Sequence, residues 1–265
     1  MGVSSLWSVD EVRNIEINGV ELETYFYKPP NIAKTPTLLF LHEGLGSAAM
    51  WRDFPGQVAS ETALPAIVYS RQGYGMSDRH IEPYECNFMH REALEVLPAL
   101  LAKLEIERPM LLGHSDGASI ALIHAAKYPV AGVVVEAPHI YVEEKAITAI
   151  SGLRGKIRRA ELIKKLACFH EDPEHTFQNW NNIWLNPDFS SWNIIEYVSQ
   201  IKCPILAIQG EMDEYGTMAQ IDDIARNAPG HVTRVKLAEC GHSPHRDQRE
   251  EVVRQISKFI NANSK

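Results

Sequence analysis

The sequence predicts an α/β domain in which a mostly parallel, twisted sheet carries helices on both faces. Two observations support this class. Short and wholly apolar runs recur along the chain, and longer amphipathic runs with a helical period separate them. Strands that are too apolar to alternate with polar residues are buried on both faces, which is typical of a parallel sheet covered by helices on each side.

The elements follow in order from the amino terminus. Residues 12–30 alternate apolar and polar side chains about Asn18-Gly19, the pattern of a β-hairpin. Six apolar runs then predict six further strands: TLLFLH (37–42), PAIVYS (65–70), PMLLGHS (109–115), AGVVVEAP (131–138), CPILAIQG (203–210) and VTRVKLAE (232–239). Three segments have a helical period: 90–106, 116–128 and 249–260.

The regular alternation is interrupted between about residues 139 and 200. No strand-like run occurs there, and aromatic residues are concentrated in this stretch: Phe169, Phe177, Trp180, Trp184, Phe189, Trp192 and Tyr197. We therefore expect one core domain made of residues 1–138 and 201–265. Residues 139–200 are expected to form a helical cap, inserted after the sixth strand and lying over one end of the sheet.

Composition excludes several classes of protein. The net charge of −8 over 265 residues argues against a nucleic-acid binder with its broad basic surface. No run approaches the roughly 18 apolar residues of a membrane span, and no secretory signal is visible at the start of the chain. Scattered cysteines without a CxxC pair indicate reduced thiols rather than disulfides or a zinc site: Cys86, Cys168, Cys203 and Cys240. We expect a cytoplasmic protein, monomeric or homodimeric, with a small-molecule substrate.

The residues that follow each strand hold the functional information, because ligands bind beyond the carboxyl ends of the strands in such sheets. The run PMLLGHSDGASIAL places Gly113, Ser115 and Gly117 at a strand-to-helix junction. The two glycines allow strand and helix to approach closely, and the sharp turn pushes the serine hydroxyl out above the sheet. Ser115 is therefore the candidate nucleophile, and the alternative is a tight turn with a helix-capping serine.

A serine at its ordinary pKa needs a base to accept its proton. Eleven histidines compete for this role. His242 follows the last strand-like run, at the correct end of the sheet, and lies in a loop shaped by glycine and proline. His245 is a nearby alternative, whereas His170 and His175 belong to the insertion. We therefore predict that His242 is the base.

With these motifs the chain resembles the α/β-hydrolase superfamily. The similarity extends over nearly the whole chain and rests on five segments: HEGLGS (42–47), RQGYGMSD (71–78), GHSDG (113–117), the acidic loop after 203–209 and CGHS (240–243). The resemblance implies the α/β-hydrolase fold and the chain order Ser, acid, His, which Ser115, Asp213 and His242 would reproduce. Among its branches the chain is similar to small esterases and meta-cleavage-type hydrolases, whose cap also follows the strand after the nucleophile helix.

The acid has two candidate positions. In similar hydrolases it lies three residues after the glycine that ends the strand, and counting from Gly210 gives Asp213 rather than Glu211 or Glu214. A short aspartate side chain also loses less rotamer freedom when it is fixed. Glu136, at the end of the preceding strand, is the rival, because a minority of the superfamily place the acid there.

Acyl transfer creates a negative oxygen that positioned N–H donors must stabilise. The resemblance implies the backbone N–H of Asp116 as one donor and that of Gly44 or Leu45 as the other. Glu43 occupies a position where the superfamily usually has glycine. Because the third and fourth strands are expected neighbours, we predict that an ion pair between Glu43 and Arg71 fixes this loop. Two separately solvated charges are the alternative.

Several side chains are candidates for binding the substrate. Trp180 and Trp184, one helical turn apart, suit an apolar acyl or ring pocket, although such residues also form the core of an insertion. Arg52 and Arg246, each next to a motif loop, are candidates for holding a substrate carboxylate. A basic cluster in the insertion is either a solvated helix face or a source of electrostatic steering: Arg154, Lys156, Arg158, Arg159, Lys164 and Lys165.

We thus expect a carboxylesterase-like serine hydrolase that cleaves a carboxylic ester through an acyl-enzyme on Ser115 and needs no metal or organic cofactor. One alternative keeps the same residues but cleaves a carbon–carbon bond, or eliminates a leaving group, on a carboxylate-bearing substrate. Related meta-cleavage hydrolases catalyse such a carbon–carbon cleavage, and a related synthase of menaquinone biosynthesis catalyses such an elimination. A second alternative is a ligand receptor with a vestigial triad.

Overall fold

A computed structural model of the protein describes residues 9–28 and 36–263. Strands occur in these residues at β1 (Glu11–Ile17), β2 (Val20–Tyr27), β3 (Leu38–Leu41), β4 (Ala66–Tyr69), β5 (Met110–His114), β6 (Gly132–Glu136), β7 (Ile205–Gly210) and β8 (Val232–Leu237). They form one sheet in the order β1-β2-β4-β3-β5-β6-β7-β8. The β1–β2 and β2–β4 pairs are antiparallel, and the other neighbouring pairs are parallel.

Helices connect the parallel strands and continue beyond β8. Their bounds are α1 (Phe54–Thr62), α2 (Phe88–Arg91), α3 (Leu97–Lys103), α4 (Asp116–Lys127), α5 (Glu144–Ser151), α6 (Lys156–Leu166), α7 (Pro173–Trp184), α8 (Ile195–Val198), α9 (Ala219–Asn227), α10 (Pro244–Asp247) and α11 (Arg249–Asn263). A π-helical turn, Glu92–Val96, joins α2 to α3. Shorter 3-10 turns lie at Ala48–Trp51, Gly152–Arg154 and Pro187–Ser191.

The sheet is buried on both faces because alternate side chains of each central strand point to opposite sides. In β3, Leu39 and Leu41 belong to one apolar core, and Leu38 and Phe40 belong to the other. Helices α3, α4 and α9 cover the first face, and helices α1 and α11 cover the second. This two-sided burial is the physical reason why the strand sequences are continuously apolar.

The segment between β6 and β7 is helical and contains α5 to α8. Its two ends are joined at the base, where Ile194 N–H donates to the Ile140 carbonyl at 2.8 Å and Tyr141 forms an isolated β-bridge with Asn193. The segment also contacts the loop after β3, because His170 Nε2 lies 3.1 Å from the Leu45 carbonyl oxygen. The insertion therefore lies against the carboxyl edge of the sheet.

The predicted fold class is confirmed, including the position of the helical insertion after the sixth strand. The hairpin is formed by β1 and β2, with Asn18 and Gly19 at φ 54° and 81° in its two-residue turn. Residues 29 and 30 of the predicted hairpin stretch lie outside the described residues. The helical segment predicted over 90–106 begins earlier, at Phe88, and contains the π turn. Among the described residues no helix has the length and apolar character needed to cross a membrane.

The two glycines that flank Ser115 serve the close approach of strand and helix. A Cβ atom at Gly117 would lie 2.0 Å from the carbonyl oxygen of Leu41, and one at Gly113 would lie 2.3 Å from that of Gly117. Both neighbours are backbone atoms, which cannot move aside as a flexible side chain can. The junction between β5 and α4 is therefore compatible only with glycine at these positions.

Replacement of Gly117 by alanine is expected to lower the free energy of unfolding by about 3 kcal/mol, because the new methyl group would collide with a carbonyl held in β3. Denaturant-induced unfolding measures this change. Gly155→Ala is the matched control, since Gly155 has φ −58° and its nearest neighbouring atom lies 3.9 Å from a built Cβ. That variant is expected to change stability by no more than about 1 kcal/mol. Equal stabilities of the two variants would contradict the close approach.

Candidate active site

Ser115 lies between the end of β5 and the first residue of α4, with φ 52° and ψ −117°. A positive φ at a residue other than glycine costs about 1–3 kcal/mol and persists only where the surroundings enforce it. Here the Ser115 N–H donates to the Glu136 carbonyl at 2.9 Å, and the Ser115 carbonyl accepts from the Ala118 N–H at 2.9 Å. The sharp strand-to-helix turn expected from the sequence is therefore present.

Three side chains form a chain of hydrogen bonds at the carboxyl edge of the sheet. Ser115 Oγ lies 3.0 Å from His242 Nε2. His242 Nδ1 lies 2.8 Å and 2.9 Å from the two carboxylate oxygens of Asp213. A proton on Nδ1, shared with the carboxylate, leaves Nε2 as an acceptor for the serine proton. The structure thus brings together the three residues selected from the sequence.

Asp213 is held rigidly in the ionised form. Its carboxylate accepts hydrogen bonds from the Tyr215 N–H at 2.7 Å and from Gln209 Nε2 at 2.6 Å, in addition to His242. Burial alone would raise the pKa of Asp213, but the hydrogen bond and charge of His242 and the Tyr215 N–H lower it to about 2. The remaining acids of this loop are exposed: Glu211 and Glu214.

The loops that carry Asp213 and His242 meet because the backbone at the end of β7 has no side chain. A Cβ atom at Gly210 would lie 2.2 Å from the Cys240 carbonyl oxygen and 2.3 Å from that of Gly241. The Met212 N–H also donates to the Cys240 carbonyl at 2.9 Å. Direct backbone contact therefore sets the distance between the acid loop and the histidine loop.

The rival acid and the alternative base bind each other. Glu136 Oε2 accepts from His245 Nδ1 at 2.9 Å and from the His245 backbone N–H at 3.0 Å. Both side chains are 3% exposed, so this is a buried pair. Glu136 does not contact His242, and His245 does not contact Ser115. Glu136 and His245 thus pair with each other, and neither belongs to the hydrogen-bonded chain of the three residues above.

Three residues that line the cavity beside Ser115 have free backbone N–H groups. Those of Asp116, Gly44 and Leu45 donate no hydrogen bond to any residue that the structure describes. All three residues line the cavity next to Ser115. A Cβ atom at Gly44 would lie 2.0 Å from Trp180 Nε1, so the indole ring packs directly against this loop. Gly44 and Leu45 both remain candidates for the second donor.

The predicted ion pair between Glu43 and Arg71 is wrong. β3 and β4 are neighbours as expected, but the Arg71 guanidinium turns to the backbone of the loop rather than to the carboxylate. Its Nη1 donates to the His42 carbonyl at 2.6 Å and its Nη2 to the Glu43 carbonyl at 3.0 Å. Arg71 is 4% exposed, and it therefore fixes this loop as predicted, though through different atoms.

Glu43 instead lies between His114 and Arg246. Its Oε2 is 3.6 Å from His114 Nδ1, and its Oε1 is 3.2 Å from Arg246 Nη2. Burial by itself would raise the pKa of Glu43, but these two partners hold the pKa well below its ordinary value. The other ring nitrogen of His114 lies 2.6 Å from the His242 carbonyl oxygen. Glu43 and His114 thus connect the loop after β3 to the loop that carries His242.

The carboxyl group of Asp116 is buried beside the nucleophile. Neither of its oxygens has a hydrogen-bond partner among the described residues. Burial raises the pKa of Asp116 to about 6, although the charge of Arg71 opposes this shift. Above that pH Asp116 carries a negative charge next to Ser115, in a wall that also contains Glu43.

The cavity beside Ser115 has a volume of about 100 Å³. Trp180 and Trp184 of α7 and Ile150 of α5 close it from the side of the insertion, and His139 lines it from the end of β6. Trp184 also packs edge-on against Phe189, at 5.3 Å between ring centroids. Trp180 and Trp184 therefore have two positions at once: they belong to the apolar core that includes the insertion, and they line the cavity beside Ser115.

The other predicted substrate-binding residues lie elsewhere. Arg52 and Arg246 do not line the cavity beside Ser115; both line a separate cavity. The basic cluster is a largely exposed surface of α6 and the turn before it, and none of its members lines the cavity beside Ser115. In the insertion, His170 and His175 contact the backbone of Gly75 and of His80, respectively.

Two residues near the nucleophile were not singled out from the sequence. His114 immediately precedes Ser115, and His139 follows β6 at the same edge of the sheet as the other site residues. Burial lowers the pKa of His139 to about 3, so its imidazole is neutral. The strand-end rule that selected Asp213 would also have selected His139. In the described part of the chain no group of three or more His, Cys, Asp or Glu side chains is arranged to hold a metal ion.

Comparison with known proteins identifies a family to which the sequence matches. The model of the alpha/beta hydrolase family matches residues 38–255. The mouse (Mus musculus) protein named serine hydrolase BPHL is 27% identical over 233 residues, which cover 84% of this chain and 78% of that protein. Residues 38–255, matched by the family model, include Ser115, Asp213 and His242.

Solved structures with much lower identity have the same fold. Proline iminopeptidase of Mycobacterium smegmatis superposes with a TM-score of 0.77 at 18% identity, over 96% of this chain and 98% of that one. The enol-lactonase of Burkholderia xenovorans LB400 superposes with a TM-score of 0.76 at 18% identity, over 94% and 100% of the two chains. At 18% identity, the likeness of this chain to these two proteins concerns the fold alone. The two proteins are also named for different substrates.

Arg71→Ala is expected to lower the free energy of unfolding by about 3 kcal/mol, because it removes two charged hydrogen bonds and leaves the buried His42 carbonyl without its guanidinium donor. Combined with Glu43→Gln in a double-mutant cycle, the two effects are expected to add to within about 0.5 kcal/mol. Denaturant unfolding of the four proteins measures both quantities. A coupling free energy larger than this would support the ion pair between Glu43 and Arg71 predicted from the sequence.

Proposed function

Because the chain belongs to the alpha/beta hydrolase family, we propose that it is a serine hydrolase that cleaves a carboxylic ester through an acyl-enzyme on Ser115. The observation that carries this proposal is the 3.0 Å contact between Ser115 Oγ and His242 Nε2, with Asp213 at 2.8 Å on the other side of the imidazole. The name of the mouse relative, a serine hydrolase, is consistent with it.

In the proposed reaction Ser115 Oγ attacks the ester carbonyl while His242 Nε2 accepts the hydroxyl proton. The new bond converts the carbonyl to a tetrahedral oxyanion, which the N–H of Asp116 and that of Gly44 or Leu45 would stabilise. Each such donor contributes about 3–4 kcal/mol to the rate in known enzymes. Collapse of the intermediate expels the alcohol, which takes the proton from His242.

Water then completes the cycle. It attacks the acyl-enzyme with His242 as the base, and Ser115 leaves with the returned proton. Throughout, Asp213 keeps the imidazole in the productive tautomer and stabilises its protonated form without accepting the proton itself. Its low pKa of about 2 suits this role, since the carboxylate stays ionised.

The cavity indicates a small acyl group without a negative charge. Its volume of about 100 Å³ is below the usual range of about 300–1,000 Å³ for small-molecule sites. The carboxyl group of Asp116, with a pKa of about 6, would repel an anionic substrate at neutral pH. No arginine lines this cavity in the described structure. These features favour a neutral short-chain ester over the carboxylate-bearing substrates of the carbon–carbon hydrolases.

The decisive test is covalent labelling with a fluorophosphonate, which reacts with an activated serine. We expect labelling of the wild-type protein and none of Ser115→Ala. Hydrolysis of p-nitrophenyl acetate is expected to disappear with Ser115→Ala and to fall by about 10⁴ in kcat for Asp213→Asn, because the amide favours the wrong imidazole tautomer.

Two matched variants separate the acids. Glu136→Gln removes the rival carboxylate and Glu214→Gln removes an exposed one from the same loop, and both are expected to keep kcat within about tenfold of the wild type. If kcat fell by several orders of magnitude in Glu136→Gln and stayed near the wild-type value in Asp213→Asn, the acid would be Glu136. An unlabelled wild-type protein would contradict every mechanism that uses a serine nucleophile. The remaining interpretation would be a ligand receptor with a vestigial triad.

The charge of Asp116 leads to a second expectation, tested with p-nitrophenyl butyrate and mono-p-nitrophenyl succinate. After correction for spontaneous hydrolysis, kcat/KM for the neutral ester should exceed that for the anionic one by about tenfold at pH 8, equivalent to ~1.4 kcal/mol. The ratio should decrease as the pH falls through about 6 and Asp116 becomes protonated. Asp116→Asn keeps the backbone N–H and should reduce the preference at pH 8 and abolish its change near pH 6. An unchanged ratio in this variant would show that Asp116 does not select the substrate.

A further inference from the structure

Trp180 of α7 packs against the loop after β3, at the cavity beside Ser115. A Cβ atom at Gly44 would lie 2.0 Å from Trp180 Nε1, 2.6 Å from its Cδ1 and 2.9 Å from its Cε2. Apart from the chain neighbours of Gly44, these are the three nearest atoms, so the edge of the indole fills the space that a side chain there would need. Gly44 is not among the described glycines with a positive φ, so its backbone conformation permits alanine. The ring of Trp180, rather than the backbone, is what excludes a larger residue.

The helix that carries Trp180 is attached on both sides of this residue. One turn before it, the hydroxyl oxygen of Thr176 lies 2.8 Å from the Gly73 carbonyl oxygen, in the loop after β4. One turn after it, Trp184 packs edge-on against His139, with ring centroids 5.0 Å apart. A side chain on a helix that is held at both ends has little freedom to move aside. The indole of Trp180 is therefore a fixed part of the cavity wall.

The position of His242 determines which part of an ester faces Trp180. In the proposed reaction His242 gives its proton to the leaving alcohol, so the alcohol must lie beside the imidazole. The ring of Tyr215 is a neighbour of this imidazole, with centroids 4.7 Å apart, and both side chains are partly exposed. The acyl group lies on the other side of the reacting carbon. It therefore extends away from His242, toward the buried wall to which Trp180 belongs.

Trp180 is the most accessible part of this wall. Of the residues of α5 and α7 that line the cavity, Trp180 is 7% exposed, whereas Ile150 is 2% and Trp184 is 1% exposed. An acyl group in the cavity of about 100 Å³ therefore meets the indole of Trp180 before the two side chains behind it. Removal of this ring would lengthen the cavity on the side where the acyl group lies.

From these contacts we propose that Trp180 limits the length of the acyl group by closing the cavity against Gly44, and that this ring is the reason why residue 44 is glycine. The role rests on the proposed ester hydrolysis and adds to it the residue that selects among neutral esters. Because Trp180 and a side chain at position 44 would compete for one space, the effect of changing one residue depends on the other.

Acyl length is tested with p-nitrophenyl acetate and p-nitrophenyl hexanoate, which share one leaving group. In the wild-type protein kcat/KM for the acetate should exceed that for the hexanoate by about 100-fold, and Trp180→Ala should lower this ratio by about tenfold or more. Trp180→Phe, a smaller ring that keeps an apolar core, should give an intermediate ratio. Trp192→Ala is the matched control, because Trp192 is also a tryptophan of the insertion, is also 7% exposed and lies outside the described lining of the cavity. Its ratio should stay within about twofold of the wild type.

The shared space is tested without any substrate, by thermal unfolding of the wild type, Gly44→Ala, Trp180→Ala and the double variant. In the wild-type background Gly44→Ala should lower Tm by about 5 °C, because the new methyl group meets the indole. In the Trp180→Ala background the same change should lower Tm by less than about 2 °C, because the ring is absent. Equal shifts in the two backgrounds would overturn the claim that Trp180 requires glycine at position 44.

Fluorophosphonate labelling separates a failure of this role from a failure of the proposed function. If the wild-type protein is labelled but the acetate-to-hexanoate ratio is the same in Trp180→Ala, Trp180 does not limit the acyl group. A wild-type ratio near one would overturn the role in the same way. If the wild-type protein is not labelled, the ester hydrolysis on which the role rests is contradicted, and the role is contradicted with it. The unfolding experiment would then still decide whether Trp180 and Gly44 share one space.

Discussion

The candidate site depends on backbone segments that approach one another at the carboxyl edge of the sheet too closely for any side chain. Gly117 of α4 touches the end of β3, and Gly210 at the end of β7 touches the loop that carries the site histidine. These contacts fix the spacing of the strand ends, and with it the 2.8–3.0 Å contacts among Ser115, His242 and Asp213. The positive φ of Ser115 persists for the same reason, because the elements on both sides leave no room for relaxation.

A second layer of buried charge lies below these contacts. Glu43 pairs with His114, Glu136 pairs with His245, and the rings of the two histidines are 5.0 Å apart. Buried carboxylates are costly unless they are paired, so each histidine compensates an acid that would otherwise destabilise the fold. The arrangement also occupies Glu136 and His245 with each other. Asp213 is therefore the acid that remains for His242.

The sequence predicted the elements and the three hydrogen-bonded residues because both depend on periodicity and on the ends of strands. Ser115, Asp213 and His242 each follow an apolar run, and parallel strands bring such positions to one edge. What periodicity does not determine is the direction of a long side chain. Arg71 and Glu43 are neighbours as predicted, yet Arg71 binds backbone carbonyls, which carry no sequence signal. The sequence indicated Trp180 and Trp184 as pocket residues, and both line the cavity beside Ser115, but it did not indicate that Arg52 and Arg246 line a different cavity.

An ion pair connects the walls of two cavities, because Glu43 lies 3.2 Å from Arg246 Nη2. Glu43 lines the cavity beside Ser115, and Arg246 lines the separate cavity that also contains Arg52. A ligand in either cavity would therefore lie near one member of this ion pair. The Arg246 side chain is 45% exposed, and pairs of this kind contribute no more than about 1 kcal/mol. An effect transmitted through this pair would consequently be limited to about fivefold in affinity or rate, which is too small for a strong switch between the two cavities.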